Sequence, residues 1–127
     1  MVTAIQVARA AARKAIESTY DGTVDVREYQ KVTDDVTKLT THKEVVVWEQ
    51  LPCRLSFERI QSAEQSATIS SISQSTKLFI APDLTIKPGS KLTVTQAGVT
   101  CDYTNSGVPA VYDTHQEIQL DLFRGYA

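Results

Sequence analysis

Lys87-Pro88-Gly89-Ser90-Lys91-Leu92-Thr93-Val94-Thr95-Gln96-Ala97-Gly98-Val99-Thr100-Cys101-Asp102-Tyr103 reads as a turn, a strand, a second turn and a second strand. Pro88 and Gly89 occupy the second and third positions of a type II turn, where proline presets φ and glycine accepts a positive one. Leu92 and Val94 then alternate with Thr93 and Thr95, the period of a half-buried strand. The tight Ala97-Gly98 connection returns the chain into Val99, Cys101 and Tyr103 as a hairpin, although Ala-Gly is a weaker signal than Asn-Gly.

The same grammar extends on both sides. Downstream, Asn105-Ser106-Gly107 is another turn, and Ile118, Leu120 and Leu122 alternate with Glu117, Gln119 and Asp121 in the cleanest strand of the chain. Upstream stand Lys77-Leu78-Phe79-Ile80, a turn at Ala81-Pro82-Asp83, and Leu84-Thr85-Ile86. Glu44-Val45-Val46-Val47-Trp48-Glu49 holds too many adjacent β-branched residues for a surface helix. Pro52 is expected to break or bend it, after which Cys53, Leu55 and Phe57 share one face of a further strand. Val24 and Val26 alternate with Asp25 and Arg27 in a first strand ending near Gln30, and the polar stretch Val32 to His42 reads as an exposed loop or hairpin tip. Many short strands at near-regular spacing predict a mainly β protein, a small antiparallel β-barrel or sandwich.

The N-terminus breaks the pattern. Thr3 with Gln6 matches a capping box, and Val2 with Val7 a hydrophobic staple. Neither Gly nor Pro occurs from Ala4 to Thr19, and Ile5, Ala8, Ala12 and Ile16 recur at helical spacing. Such a small-residue stripe can approach a neighbour closely, but the helix needs docking to be stable. Asp21-Gly22 ends it. We therefore expect a single domain over residues 1–127, with an N-terminal α-helix over 1–20 and a β-barrel over 23–127.

The stretch Gln61 to Thr76 stands apart as a long Ser/Gln-rich exposed loop. It is nearly uncharged and lacks Gly and Pro, unlike ordinary linkers. Its apolar content is only alanine, Ile69 and Ile72, too little for a core.

Composition excludes several classes. With 42% hydrophobic and 22% charged residues, the chain of 127 residues is an ordinary globular domain. A net charge of −2 supplies no field for phosphate backbones. No apolar run approaches the roughly 20 residues of a membrane span. The start is not the basic-then-apolar order of a secretory signal, so a cytoplasmic setting is expected. Cys53 and Cys101 read as free thiols acting as small hydrophobes, the alternative being a disulfide between them, which a cytoplasmic setting disfavours.

No chemistry emerges from the residues. His42 reads as a solvated loop residue, and the pair Asp113 and His115 lacks a nucleophile and an oxyanion site. No metal-ligand spacing or phosphate-cradling glycine pattern is present, so no metal, no cofactor and no enzyme activity are expected. Tyr20, Tyr29, Tyr103, Tyr112 and Tyr126 allow a different class, an OB-like module for single-stranded nucleic acid. Its stacking aromatics would be Tyr103 and Tyr112, but these neighbour Asp102 and Asp113. Arg9, Arg13 and Lys14 form a small basic cluster on the helix, a candidate docking surface for an acidic partner.

With chemistry absent, the residues point to assembly. Arg13-Lys14-Ala15-Ile16, Pro52-Cys53-Arg54-Leu55-Ser56, Lys77-Leu78-Phe79-Ile80-Ala81-Pro82, Lys87-Pro88-Gly89-Ser90-Lys91-Leu92-Thr93-Val94 and His115-Gln116-Glu117-Ile118 span nearly the whole chain. Together with the order helix, strands, uncharged loop and strands, the chain resembles the small head–tail connector proteins of tailed phages and of prophages of Gram-positive bacteria. These are the head-completion or stopper proteins of the phage neck. The resemblance implies a ring of subunits between the portal or adaptor protein and the tail terminator or tail-tube protein. It places the protein in the host cytoplasm during assembly and then in the virion neck, with no membrane involved. It further implies a channel or gating loop, for which the matching candidates are Gln61, Glu64, Gln65, Ser66, Ile69, Ser70, Ser71, Ile72 and Gln74. No basic channel-facing run is present, so any proximity to packaged DNA is indirect. Other neck rings, such as an adaptor or a tail terminator, share these features.

Overall fold

A computed structural model of the chain describes residues 3–61 and 72–126. One helix, α1 (Ala4–Glu17), precedes seven strands: β1 (Gly22–Thr33), β2 (Thr40–Gln61), β3 (Ile72–Ile80), β4 (Lys91–Gln96), β5 (Val99–Asn105), β6 (Ala110–Val111) and β7 (Gln116–Leu122). All pairings are antiparallel. The order is β3-β2-β1-β4-β5-β7-β6, and β3 also pairs with β7, so the hydrogen bonding runs round in a ring. The protein is mainly β with one N-terminal helix, as the alternation predicts.

Both turns of the deciding stretch form. Gly89 has φ +82°, and the Ser90 amide donates to Lys87 O at 3.2 Å, closing the turn. The β4–β5 hairpin pairs Gln96 with Val99 across Ala97 (φ 53°) and Gly98 (φ 78°). Two successive positive φ values are the type I′ geometry that suits strand twist, but alanine is a poor residue for the first of them. Ala97→Asn is therefore expected to stabilise the protein by roughly 0.5–1 kcal/mol, since Asn tolerates the left-handed region. Urea unfolding checks this.

Several boundaries differ from expectation. The helix closes at Ser18, before residue 20; its capping box forms, with Thr3 N donating to Gln6 Oε1 at 2.9 Å and Gln6 N to Thr3 Oγ1 at 3.2 Å. Val2 lies outside the described residues, and Val7 is exposed. The two strands expected around Pro52 are one continuous β2, bent rather than broken. Gln50, at φ 52°, takes up a bulge that is fixed by its amide donating to Asp25 Oδ1 at 2.8 Å. A second register shift falls between Val26 and Arg27. Pro52 lies beyond the β3 ladder, which starts at the Arg54–Phe79 pair, so it is tolerated there.

The polar stretch after Gln30 is largely strand as well: β1 continues to Thr33 and β2 starts at Thr40. Only Asp34 to Leu39 is the tip. There the amides of Val36 and Thr37 donate to the Asp34 carboxylate and hold it below the usual carboxylate range. Leu84-Thr85-Ile86 and Tyr112 lie outside strands, although Ile86 is buried.

The core lies inside the ring. Val24, Val26, Cys53, Leu55, Leu78, Ile80, Leu92, Val94, Ile118 and Leu120 are buried, one side chain in two along each strand. Burial pushes the Cys53 thiol up to about 12, so it stays a protonated apolar group; Cys101 is half-buried, and both are free. Gly22 is the close-approach point. Gln96 reaches from β4 past β1 to β2, its Oε1 accepting from Leu55 N at 2.8 Å. A Cβ on Gly22 would stand 3.1 Å from that oxygen and 3.1 Å from Thr95 O, so glycine is favoured here by space and not by φ.

Candidate interaction surfaces

Three features project from the ring without a core of their own. The first is α1. None of its residues is buried, and Ile5 is 64% exposed. Its apolar contact with the β body is at its C-terminal end. Ala15, Ile16, Thr19 and Tyr20 line a mainly apolar cavity of about 380 Å³ with Phe79 and His115. The Tyr20 hydroxyl is buried there with no hydrogen-bond partner among the described residues.

The basic cluster of the helix is split by its partners. Arg13 Nη2 donates to Asp83 Oδ1 at 2.9 Å and its Nε to Glu17 Oε1 at 2.6 Å, while Arg9 Nε sits 3.2 Å from Asp113 Oδ2. These two arginines thus meet acids of the chain itself and tether the helix to the turn after β3 and to the segment before β7. Lys14 lies in the last helical turn, where a cation favours the helix dipole. His115 stacks on Tyr112 at 5.0 Å and its Nε2 is 3.0 Å from Glu117 Oε2. Asp113 is engaged with Arg9, so no Asp–His pair forms there.

The second feature is the β2–β3 extension. The Ser/Gln-rich stretch, expected as a loop over 61–76, is strand at Gln61 and from Ile72 to Thr76. Gln61 ends β2 paired with Ile72, and β3 already carries Ser73-Gln74-Ser75-Thr76. Polar residues of low strand propensity are paired here because β2 continues as a template. Gln119 of β7 adds Nε2 bonds to Ser75 Oγ at 2.9 Å and Thr76 O at 3.3 Å. Of the candidate loop residues, Gln61, Ile72 and Gln74 are therefore strand residues. Glu64, Gln65, Ser66, Ile69, Ser70 and Ser71 lie outside the described residues. At the root of this extension Phe57 and Leu122 are more than half exposed, which makes an apolar patch that sequence alternation assigned to the interior.

The third is the β1–β2 ribbon from Glu28 to Lys43, within which Val32 to His42 reads from sequence as an exposed loop or hairpin tip. Tyr29 stacks on His42 (5.3 Å) and on Tyr126 (4.6 Å), and the Tyr126 hydroxyl donates to Glu44 Oε2 at 3.1 Å. Glu44 also lies 3.5 Å from Arg27 Nε and 3.7 Å from Lys91 Nζ. The C-terminal residues thus strap the base of the ribbon. A groove of about 680 Å³ runs along it, between Glu28–Lys31 and the Lys87–Ser90 turn. The five tyrosines do not form one stacking platform: Tyr103 is in the core, and Tyr112 stacks on His115 while Tyr29 stacks on Tyr126.

No group of three or more His, Cys, Asp or Glu residues that could hold a metal ion occurs among the described residues, and no described helix is long and apolar enough to cross a membrane. Neither a protein-family model nor a curated protein sequence matches the chain. Among solved structures, the phage-like element PBSX protein xkdH from Bacillus subtilis is similar at 12% sequence identity and a TM-score of 0.48. The match covers 79% of this chain and 91% of that chain.

Proposed function

We propose that this protein is a structural, non-enzymatic component of the neck of a tailed phage or prophage. It would form a ring between the portal or adaptor and the tail, complete the head and offer the tail its docking surface. The observation that carries this reading is the distribution of structure around the core. A helix and two ribbons project from a small closed sheet, and these elements bury little within one chain. Elements of that kind acquire cover through assembly. The resemblance of the sequence to small head–tail connector proteins supports the same class.

The Ser/Gln-rich segment is the candidate for the channel. Low charge lets many copies of it meet around an axis without repulsion, with serine and glutamine side chains as bonding partners. An adaptor or a tail terminator would use the same projecting elements, and the outcome of one experiment separates them. Residues 62–71 are replaced by Asn-Gly, which closes Gln61 to Ile72 as a short hairpin, and the particles are viewed by electron microscopy. Heads that lose their DNA and stay tail-less are expected for head completion; tails of irregular length would mark a terminator instead. Particles of normal number, DNA content and infectivity would overturn the gating role.

A further inference from the structure

The β1–β2 ribbon has two open backbone edges. On β1, the β4 ladder covers Thr23–Arg27 and stops, so Glu28–Thr33 has no strand beside it among the described residues. On β2, the β3 ladder begins at Arg54, which leaves Thr40 onward equally open among the described residues. Bulges interrupt β2 from Val47 to Gln50, so its regular open stretch is Thr40–Val46, about as long as that of β1. A two-stranded ribbon is marginal in water, and sheets become stable from three strands upward. Tyr29 and its stacking partners steady one face at the base, yet the edges themselves stay unpaired.

We infer that these two edges are each other's partner: Thr40–Val46 of one copy adds as a strand to Glu28–Thr33 of the next. Three observations favour a second copy as the occupant. When two ribbons lie side by side pointing the same way, β2 of one runs antiparallel to β1 of the other, the sense in which both already pair. Each edge is neutral, with Glu28 and Lys31 on one and Lys43 and Glu44 on the other, so no like-charge barrier opposes the approach. The groove between Glu28–Lys31 and the Lys87–Ser90 turn also lies along the β1 edge, where an incoming strand would enter. The contact is heterologous, edge A to edge B, and repeats until a rotation closes it.

This names the interface of the proposed ring and rests on that reading for its closure. In a ring the copies share one level, so residues level within the chain are level between copies. Lys31 pairs with His42 inside the chain, and Lys31 of one copy therefore faces His42 of its neighbour within a residue or two. Lys31→Cys and His42→Cys, both exposed positions, are made separately with Cys101→Ser, mixed at high concentration and treated with a short bismaleimide. Mixed dimers are expected several-fold above the dimer yield of either variant alone. Equal yields from the single variants, or no dimer at all, would overturn the edge pairing while leaving the neck assignment to the particle experiment. Mixed dimers from a protein that proves absent from the neck would uphold the edge pairing and remove the ring.

Discussion

Leu78→Ala is expected to destabilise the protein by about 3–5 kcal/mol, the upper part of the range for a leucine truncated at a site that cannot collapse. Leu78 has no solvent exposure and sits on β3 between Leu55 of β2 and Ile118 of β7. It therefore occupies the place where the sheet meets itself. A cavity there weakens the packing of both neighbours of β3 at once, and against a total stability of roughly 5–15 kcal/mol the loss is severe. Urea denaturation measures it: the midpoint should fall with the slope unchanged. Leu122→Ala is the contrast, because Leu122 is 57% exposed and its truncation should stay within about 0.5 kcal/mol. Similar losses from the two variants would mean that the ring of pairing does not set the stability of this fold.

Gln116→Leu should cost about 2–4 kcal/mol although it preserves size and adds apolar surface. The Gln116 side chain is buried, and its Nε2 donates to Ala81 O at 2.8 Å and to Leu84 O at 2.6 Å. It thus holds the irregular β3–β4 connection to the start of β7. Leucine leaves two carbonyl oxygens without that donor, and an unmade buried hydrogen bond costs more than a made one contributes. Gln116→Glu gives a signature that packing alone would not. An ionised carboxylate facing two carbonyls is disfavoured, so its folded-state pKa is raised, and the variant is most stable below the unfolded value and loses stability as pH rises. A stability difference between Glu and Gln variants that stays flat with pH would refute the hydrogen-bond role.

The strands were legible where burial and local chemistry agree. Leu92 and Val94, Val24 and Val26, Ile118 and Leu120 alternate in sequence and are buried in the structure. Pro88-Gly89 turned as expected because its φ requirement is local. What stayed hidden was decided by partners distant in sequence. Val32-Thr33 and Thr40-Thr41-His42 read as loop or hairpin tip because the stretch they belong to is largely polar, yet they form strand by extending the ladder that pairs Val24 with Leu51. Ser73 to Thr76 behave likewise, carried by β2 and by Gln119. Phe57 and Leu122 alternate correctly and still face solvent, since they lie past the end of the core. The helix was read correctly as a helix. That Arg9 and Arg13 hold it to Asp113 and Asp83 could not be seen without the fold, because those acids lie about 70 or more positions away.

The continuity of β2 has a mechanical consequence. Its 22 residues run from the tip of one ribbon, through the ring, to the start of the other. Tension between Thr40 and Gln61 is therefore carried along a single backbone and not across a loop. Such a pull loads the β1 and β3 ladders in shear, where many hydrogen bonds must yield together, and not by peeling them one at a time. The irregular stretch from Val47 to Gln50, pinned at Gln50 by Asp25, is then where strain along this beam concentrates, and a chain under such a pull would flex there first.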